Sequence, residues 1–221
     1  MNDTQSKFYE QIKQGIIDEI DLVEINPAYA MSLSARLRQA TAWSGILSST
    51  ILESAKLDRI EELIDEILAQ GNKAVIFSSF KETLKELERR LNKNGINNVR
   101  CDGDTPDAVI EERKVKFQTN DDCKVLIGTW QKMGTGHTLT AANYLIFIDT
   151  PFTDGLFQQA SDRIYRIGVT KNVTIITMIT KDTVDERVQE IIENKAELAD
   201  FVVDGIIKPD GAYDFINFLL S

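Results

Sequence analysis

Two arginines on one predicted helix are the side chains of this sequence best suited to chemistry. Arg163 and Arg166 lie three residues apart in the segment QASDRIYRIG, so a helix places them on the same side, with Gln159 one turn earlier. A guanidinium group stays charged and binds phosphate through two parallel hydrogen bonds. The spacing therefore favours a clamp on a polyphosphate, although an exposed helix with two solvated arginines would show the same pattern.

A glycine-containing loop is the second candidate. Gly134 and Gly136 follow an apolar strand, which is where parallel sheets bind ligands. The loop lacks the third glycine and the acidic residue of a dinucleotide site, and no G-x-x-x-x-G-K-[S/T] phosphate loop occurs anywhere in the sequence. No acidic pair follows an apolar strand, and two cysteines with one histidine do not suit structural zinc, so we expect no metal site. Any ATP chemistry would need a second domain.

Five short apolar strands separated by helices must position these residues. The leucines at positions 84, 87 and 91 share one helical face, Thr105 and Pro106 predict the N-cap and first residue of a helix that reaches Phe117, and Leu156–Arg166 has helical character. Such an alternation predicts a doubly wound, mostly parallel α/β sheet. The predicted strands are Lys73–Ser79, Asn98–Asp102, Lys124–Thr129, Tyr144–Thr150 and Val173–Thr180.

The two ends of the chain differ from this centre. An apolar stripe over Leu57–Ile67 ends at Gly71, and Thr183 with Glu186 has the spacing of a capping box. Helical pieces at Phe8–Ile20 and Leu33–Ala42 lack any strong strand signal. We therefore predict a helical appendage over residues 1–50, the α/β domain over 51–200, and a C-terminal tail over 201–221. Within that tail, PDGAYDFINFLLS is predicted to form a turn and a short apolar end.

Composition limits the class of protein. The chain has 25 basic and 35 acidic residues, a net charge of −10, yet residues 71–181 are mildly basic between acidic flanks, which is compatible with a phosphate-facing surface. An apolar content of 43% argues against a disordered chain, and neither a membrane span nor a secretory signal is evident. We expect an intracellular protein with no membrane partner, cytoplasmic and associated with the nucleoid if its source is bacterial or phage.

These motifs resemble, in order and spacing, the second RecA-like lobe of Swi/Snf-type DNA translocases of helicase superfamily two. KAVIFSSF at 73–80 is similar to motif IV, and Asp102-Gly103 with Thr105 to the D-G-x-T that follows it. Residues 125–142 are similar to motif V, and 159–168 with 173–188 to motif VI and its trailing strand and helix. The resemblance covers about residues 50–195, and residues 1–50 resemble the helical stretch between the two lobes.

The resemblance implies a role for each matching residue. Arg163 and Arg166 would be arginine fingers directed at ATP, Gln159 would support that contact, and Gly134 and Gly136 would let motif V approach the nucleotide. ATP and Mg²⁺ would be held mainly by an N-terminal lobe that this sequence lacks, so we expect the isolated chain to be inactive. The implied partners are that lobe and double-stranded DNA, whose backbone would contact five residues: Ser79, Phe80, Gly103, Thr105 and Thr129.

Three positions depart from the family pattern, and two alternatives stay open. Thr138 stands where Asn is usual, Val169 where Gln is usual, and Phe152 where Trp is usual. One alternative is the second lobe of another two-lobe enzyme such as an RNA helicase, whose motif VI usually carries a His-Arg pair. The other is a non-catalytic module that binds DNA or protein.

Overall fold

The computed structural model describes residues 1–133, 139–150, 173–193, 202–203, 206–208 and 211–221. The chain forms two compact units, one of Met1–Lys56 with Ile179–Ser221 and the other of Leu57–Met178. The sequence-based domain boundaries after residues 50 and 200 are a separate prediction, which this division into two units does not test.

Helices account for most of the described residues. They are α1 (Asp3–Ile20), α2 (Pro27–Ala42), α3 (Ala55–Ala69), α4 (Lys81–Lys93), α5 (Asp107–Thr119), α6 (Trp130–Met133), α7 (Val184–Glu193) and α8 (Ala212–Leu220), with a 3₁₀ turn at Ser44–Ile46. The predicted helix over Leu156–Arg166 lies outside the described residues. None of the described helices is long and apolar enough to cross a bilayer.

A parallel sheet is the framework of the second unit. Its strands are β1 (Ala74–Phe77), β2 (Asn98–Cys101), β3 (Val125–Gly128), β4 (Tyr144–Phe147) and β5 (Thr174–Thr177), in the order β2-β3-β1-β4-β5. Every neighbouring pair is parallel. The five strands and the parallel α/β class predicted from the sequence are confirmed. A short antiparallel pair, β6 (Val202–Val203) and β7 (Ile206–Ile207), lies in the first unit.

The core of the second unit explains the apolar runs of its strands. All four residues of β1 and of β3 are buried, so both faces of the sheet centre are covered. One buried cluster joins alternate strand residues to Ile110 and Phe117 of α5 and to Trp130 and Met133 of α6. The Phe147 ring lies 6.0 Å from that of Phe77 and 6.4 Å from that of Trp130. The sheet is therefore held rigidly beneath the loops at its carboxyl edge.

Local sequence sets where these helices begin and end. Gly71 has a φ of +74°, and the Gly71 and Asn72 N–H groups donate to Leu68 and Ile67, as a glycine-terminated helix requires. The predicted start of α5 is wrong by one residue, because the helix begins at Asp107 with Pro106 at its N-cap. Thr105 does not cap it, because its hydroxyl bonds within the preceding turn.

The first unit is mainly helical. Helix α2 packs against α1, α7 and α8, and α7 packs against α8. The C-terminal segment is a nine-residue helix with Phe215, Ile216 and Leu219 buried, not the turn and apolar tail expected from the sequence. A short, mainly apolar segment does not by itself distinguish a buried helix from a tail, because its burial depends on the partner helices.

A buried polar network joins segments of the first unit that are distant in sequence. The Asp185 carboxylate accepts the Thr41 hydroxyl at 3.0 Å and the Thr180 N–H at 2.9 Å, and pairs with the Lys56 ammonium at 2.7 Å. The Tyr9 hydroxyl accepts the Val184 N–H at 2.8 Å, and burial raises the pKa of that phenol. These bonds hold the start of α7 against residues from the N-terminal helices.

Candidate nucleic-acid interface

Three loops at the carboxyl edge of the sheet carry the residues predicted to contact DNA. Ser79 and Phe80 follow β1, Gly103 and Thr105 follow β2, and Thr129 follows β3. The last residues of these strands are in register, since Gly128 pairs with both Phe77 and Cys101. The structure therefore brings the five predicted residues to one edge of one sheet.

The loop after β1 is fixed by a buried carboxylate. Asp149, only 1% exposed, follows β4 and accepts the Ser78 hydroxyl at 2.5 Å and the Ser79 N–H at 3.0 Å. The Ser79 hydroxyl also donates to Asp149. The Phe80 N–H donates to the Ser78 hydroxyl oxygen at 3.1 Å. Both polar hydrogens of Ser79 are thus directed to Asp149.

The loop after β2 forms a self-contained turn. Buried Asp102 accepts the Asp104 N–H at 3.0 Å and the Thr105 hydroxyl at 3.2 Å, and the Thr105 N–H donates to the Asp102 carbonyl at 3.0 Å. Asp102 also pairs with Arg100. Gly103 is exposed, and a Cβ built there would meet nothing within 4 Å. The turn therefore presents open backbone at Gly103, while the Asp102 and Thr105 side chains are buried.

The loop after β3 needs a glycine at its start. A Cβ on Gly128 would lie 2.7 Å from the Cys101 carbonyl oxygen and 2.9 Å from Cγ of Met133. The Thr129 N–H donates to that Cys101 carbonyl at 3.2 Å, and the Thr129 carbonyl accepts the Lys132 and Met133 N–H groups. Gly128 therefore allows β2, β3 and α6 to approach closely, a role that the sequence motif did not assign to it.

Lysines surround the same edge. The Lys81 ammonium lies 3.0 Å from the Asp104 carboxylate and that of Lys85 lies 3.8 Å from it, while Lys132 lies 2.7 Å from Asp107. The hydrogen bond from Lys81 lowers the pKa of the Asp104 carboxyl, and the same bond raises the pKa of Lys81. These pairs were missed from the sequence, although the i, i+4 spacing of Lys81 and Lys85 places both on one helix face.

The residues predicted to face the nucleotide lie outside the described part of the chain. These are Gly134, Gly136, Gln159, Arg163 and Arg166, together with the departing positions Thr138, Phe152 and Val169. Among the described residues, no group of three or more acidic, histidine or cysteine side chains could hold a metal ion.

Comparison with known proteins identifies the class. The model of the helicase conserved C-terminal domain matches residues 55–168, just over half of the chain. The chain is 31% identical over 179 residues to the chromatin-remodeling ATPase INO80 of Mus musculus. The aligned region covers 79% of this chain but 12% of that protein. This chain thus matches only a small part, 12%, of the length of that relative.

Solved structures agree on the fold. The C-terminal part of the Fun30 ATPase domain superposes with a TM-score of 0.78 at 21% identity, covering 100% of this chain and 95% of that one. The SWI2/SNF2 ATPase core of Sulfolobus solfataricus, in complex with double-stranded DNA, superposes with a TM-score of 0.77 at 24% identity. The superposition covers 99% of this chain and 48% of that one.

This chain belongs to the helicase C-terminal domain family. Within it, the fold and the relatives identify a C-terminal RecA-like lobe of the Swi2/Snf2 type.

Proposed function

We propose that this chain is the C-terminal motor lobe of an ATP-dependent double-stranded DNA translocase. The observation that carries the proposal is the convergence of the loops after β1, β2 and β3 at one carboxyl edge, in a chain that belongs to the helicase C-terminal domain family. The similarity to a SWI2/SNF2 core in complex with double-stranded DNA supports duplex DNA as the ligand. It also favours this function over that of an RNA helicase lobe.

Backbone groups and lysines would make the contacts to DNA phosphates at this edge. Ser79 and Thr105 donate their hydroxyls to Asp149 and Asp102, so they would act by shaping their loops. Gly103, with open space on its exposed side, lets a phosphate approach the backbone, and Phe80 and Thr129 would border the same groove. Contacts of this kind position a duplex without reading its sequence.

A second, N-terminal lobe would hold ATP and Mg²⁺, because the sequence has no G-x-x-x-x-G-K-[S/T] phosphate loop. Arg163 and Arg166 would supply positive charge to the phosphates, with Gln159 supporting them and Gly134 and Gly136 allowing the motif V loop to approach. An arginine fork stabilises the charge that spreads over the phosphoryl oxygens during transfer. This lobe's share of catalysis would be electrostatic.

Motion would follow from alternate closing and opening of the two lobes. The positive charge of Arg163 and Arg166 would favour the closed state while the nucleotide phosphates are bound, and release of phosphate after hydrolysis would let the lobes open. The loops at the carboxyl edge are carried on a rigid sheet, so a movement of the lobe moves their phosphate contacts with it. Stepping along the DNA backbone would result.

Substitution of Arg166 tests the proposal. In a protein that joins this chain to its ATP-binding N-terminal lobe, we expect Arg166→Ala to lower DNA-stimulated ATP turnover by about 10³-fold or more, as for other arginine fingers. Arg166→Lys should not restore turnover, because an ammonium cannot replace the planar fork. The measurement is steady-state ATPase activity with and without duplex DNA, beside thermal unfolding of each variant.

Arg89→Ala is the matched control. Arg89 is exposed on α4 and pairs with Glu86, so its loss removes one guanidinium without touching the predicted site. It should leave turnover within about twofold and stability within about 0.5 kcal/mol. Full ATP turnover in Arg166→Ala would contradict the assignment of Arg166 as an arginine finger. A loss of turnover that is explained by a lowered melting temperature would contradict it as well.

A further inference from the structure

Asp104 lies between two lysines of a neighbouring helix. Its Oδ1 and Oδ2 atoms lie 3.0 Å and 3.1 Å from the Lys81 ammonium, and Oδ2 lies 3.8 Å from that of Lys85. The lysines come from the first two turns of α4, after β1, whereas Asp104 comes from the turn after β2. The carboxylate thus reaches across the edge of the sheet to two cations.

The position of the lysines is unusual for a helix. Lys81 is the first residue of α4, where the helix dipole favours anions, and it stands there beside Glu82, an acidic residue of the same first turn. The two ammonium groups attract negative charge. Lys81 and Lys85 thus form a pair of cations on one helix face, and the Asp104 carboxylate pairs with both.

We propose that Asp104 is an internal substitute for a backbone phosphate of duplex DNA, and that it limits how tightly this lobe binds DNA. A phosphodiester reaching the edge of the sheet must displace the carboxylate to contact Lys81 and Lys85. The ligand is the DNA backbone, so the competition is independent of base sequence. This inference rests on the proposed DNA-binding function.

The geometry allows the exchange. The side chains of Lys81, Lys85 and Asp104 are 44%, 48% and 55% exposed, so the pair can open without disturbing the core. Exposed ion pairs of this kind contribute little to stability. The turn itself is held by bonds to Asp102 and not by the Asp104 side chain. Asp104 can therefore move aside while the loop keeps its shape.

A second pair repeats the arrangement nearby. Lys132 of α6, after β3, lies 2.7 Å from Asp107 at the start of α5, whose side chain is 88% exposed. Again an acidic residue from the segment after β2 neutralises a lysine from another loop of the same edge. The edge therefore carries cations whose charge is balanced internally, in a chain of net charge −10.

Duplex binding by charge-matched variants tests the inference. We would measure the fluorescence anisotropy of a labelled 20-base-pair DNA with the chain over a range of KCl concentrations. Asp104→Asn should bind DNA up to about tenfold more tightly at about 50 mM salt for each lysine that it frees. A plot of the logarithm of the binding constant against the logarithm of the salt concentration should become steeper by about 0.9 for each added phosphate contact. Lys81→Gln with Lys85→Gln should weaken binding and abolish the gain from Asp104→Asn.

Asp121→Asn is the control for net charge. Asp121 is exposed in the turn before β3, at the opposite edge of the sheet, and the substitution changes the charge by the same amount. A gain in Asp104→Asn no larger than in Asp121→Asn, or one that persists without Lys81 and Lys85, overturns the inference and leaves the proposed function standing. Absence of duplex binding in the wild-type chain and in every variant overturns both.

Discussion

At the scale of single residues, Asp149 controls the direction of the polar groups after β1. Its buried carboxylate accepts bonds from Ser78 and Ser79, and charge-assisted hydrogen bonds are stronger than neutral ones. The loop is therefore held in one conformation before any ligand arrives. A groove that is already formed loses less conformational entropy when it binds a phosphate backbone.

Asp149→Asn should destabilise the chain. The amide keeps one oxygen acceptor but loses the negative charge and turns an NH₂ group toward hydroxyl donors, so we expect a loss of about 2 kcal/mol in the free energy of unfolding. Urea unfolding followed by circular dichroism measures the change. Asp121→Asn, which removes an exposed carboxylate, should stay within about 0.5 kcal/mol. Equal stability of the two variants would show that the Asp149 bonds do not hold the loop.

At the scale of elements, the sequence predicts strands well and side-chain direction poorly. The five strands were predictable because buried parallel strands are continuous apolar runs. The loops of the site were predictable because motifs occur at strand ends. The direction of the Ser79 hydroxyl was not predictable, because it depends on Asp149, which follows β4 and approaches Ser79 only in the folded sheet.

Lys73 shows the same limit within one element. In the sequence it is the polar first residue of an apolar run, with nothing to mark it as buried. In the structure its ammonium donates to the Phe117 and Asn120 carbonyls, both at 2.8 Å, and lies 5.4 Å from the centre of the Phe117 ring. A cation at this place stabilises the C-terminal end of α5.

Lys73→Met should therefore weaken the second unit. The substitution keeps the aliphatic volume but leaves two carbonyl groups without their charged donor, so we expect a loss of about 2 kcal/mol in unfolding free energy. Thermal or urea unfolding measures it. Lys116→Met is the matched control, because Lys116 is exposed in the last turn of the same helix, and it should change stability by less than about 0.5 kcal/mol. A neutral result for Lys73→Met would contradict the capping role.

At the scale of the whole molecule, residues far apart in sequence form one unit. Asp185 lies between the two residues of the predicted capping box, Thr183 and Glu186, and nothing in the local sequence indicates that it pairs with Lys56 and Thr41. The Lys56 and Asp185 side chains are only 4% and 7% exposed, so removing either one leaves a buried charge unpaired and lowers the free energy of unfolding. Contacts between residues so far apart in the sequence cannot be predicted from local patterns. The structure is therefore needed to assign residues 179–221 to the same unit as the N-terminal helices.

The last prediction concerns what the chain does alone. With ATP, Mg²⁺ and duplex DNA, we expect the purified chain to show no ATP turnover above background, because its sequence has no phosphate loop. A coupled assay for released phosphate, with and without DNA, measures this. Addition of an ATP-binding N-terminal lobe from the same protein should restore DNA-stimulated turnover.

Arg166→Ala separates true turnover from contamination in the same assay. A contaminating ATPase would be unaffected by the substitution, whereas turnover shared between the lobes should fall by about 10³-fold. DNA-stimulated turnover by the chain alone that disappears in Arg166→Ala would place a complete catalytic site within these 221 residues. The division of labour between two lobes would then be wrong, since the positive charge and the nucleotide would be held by one chain.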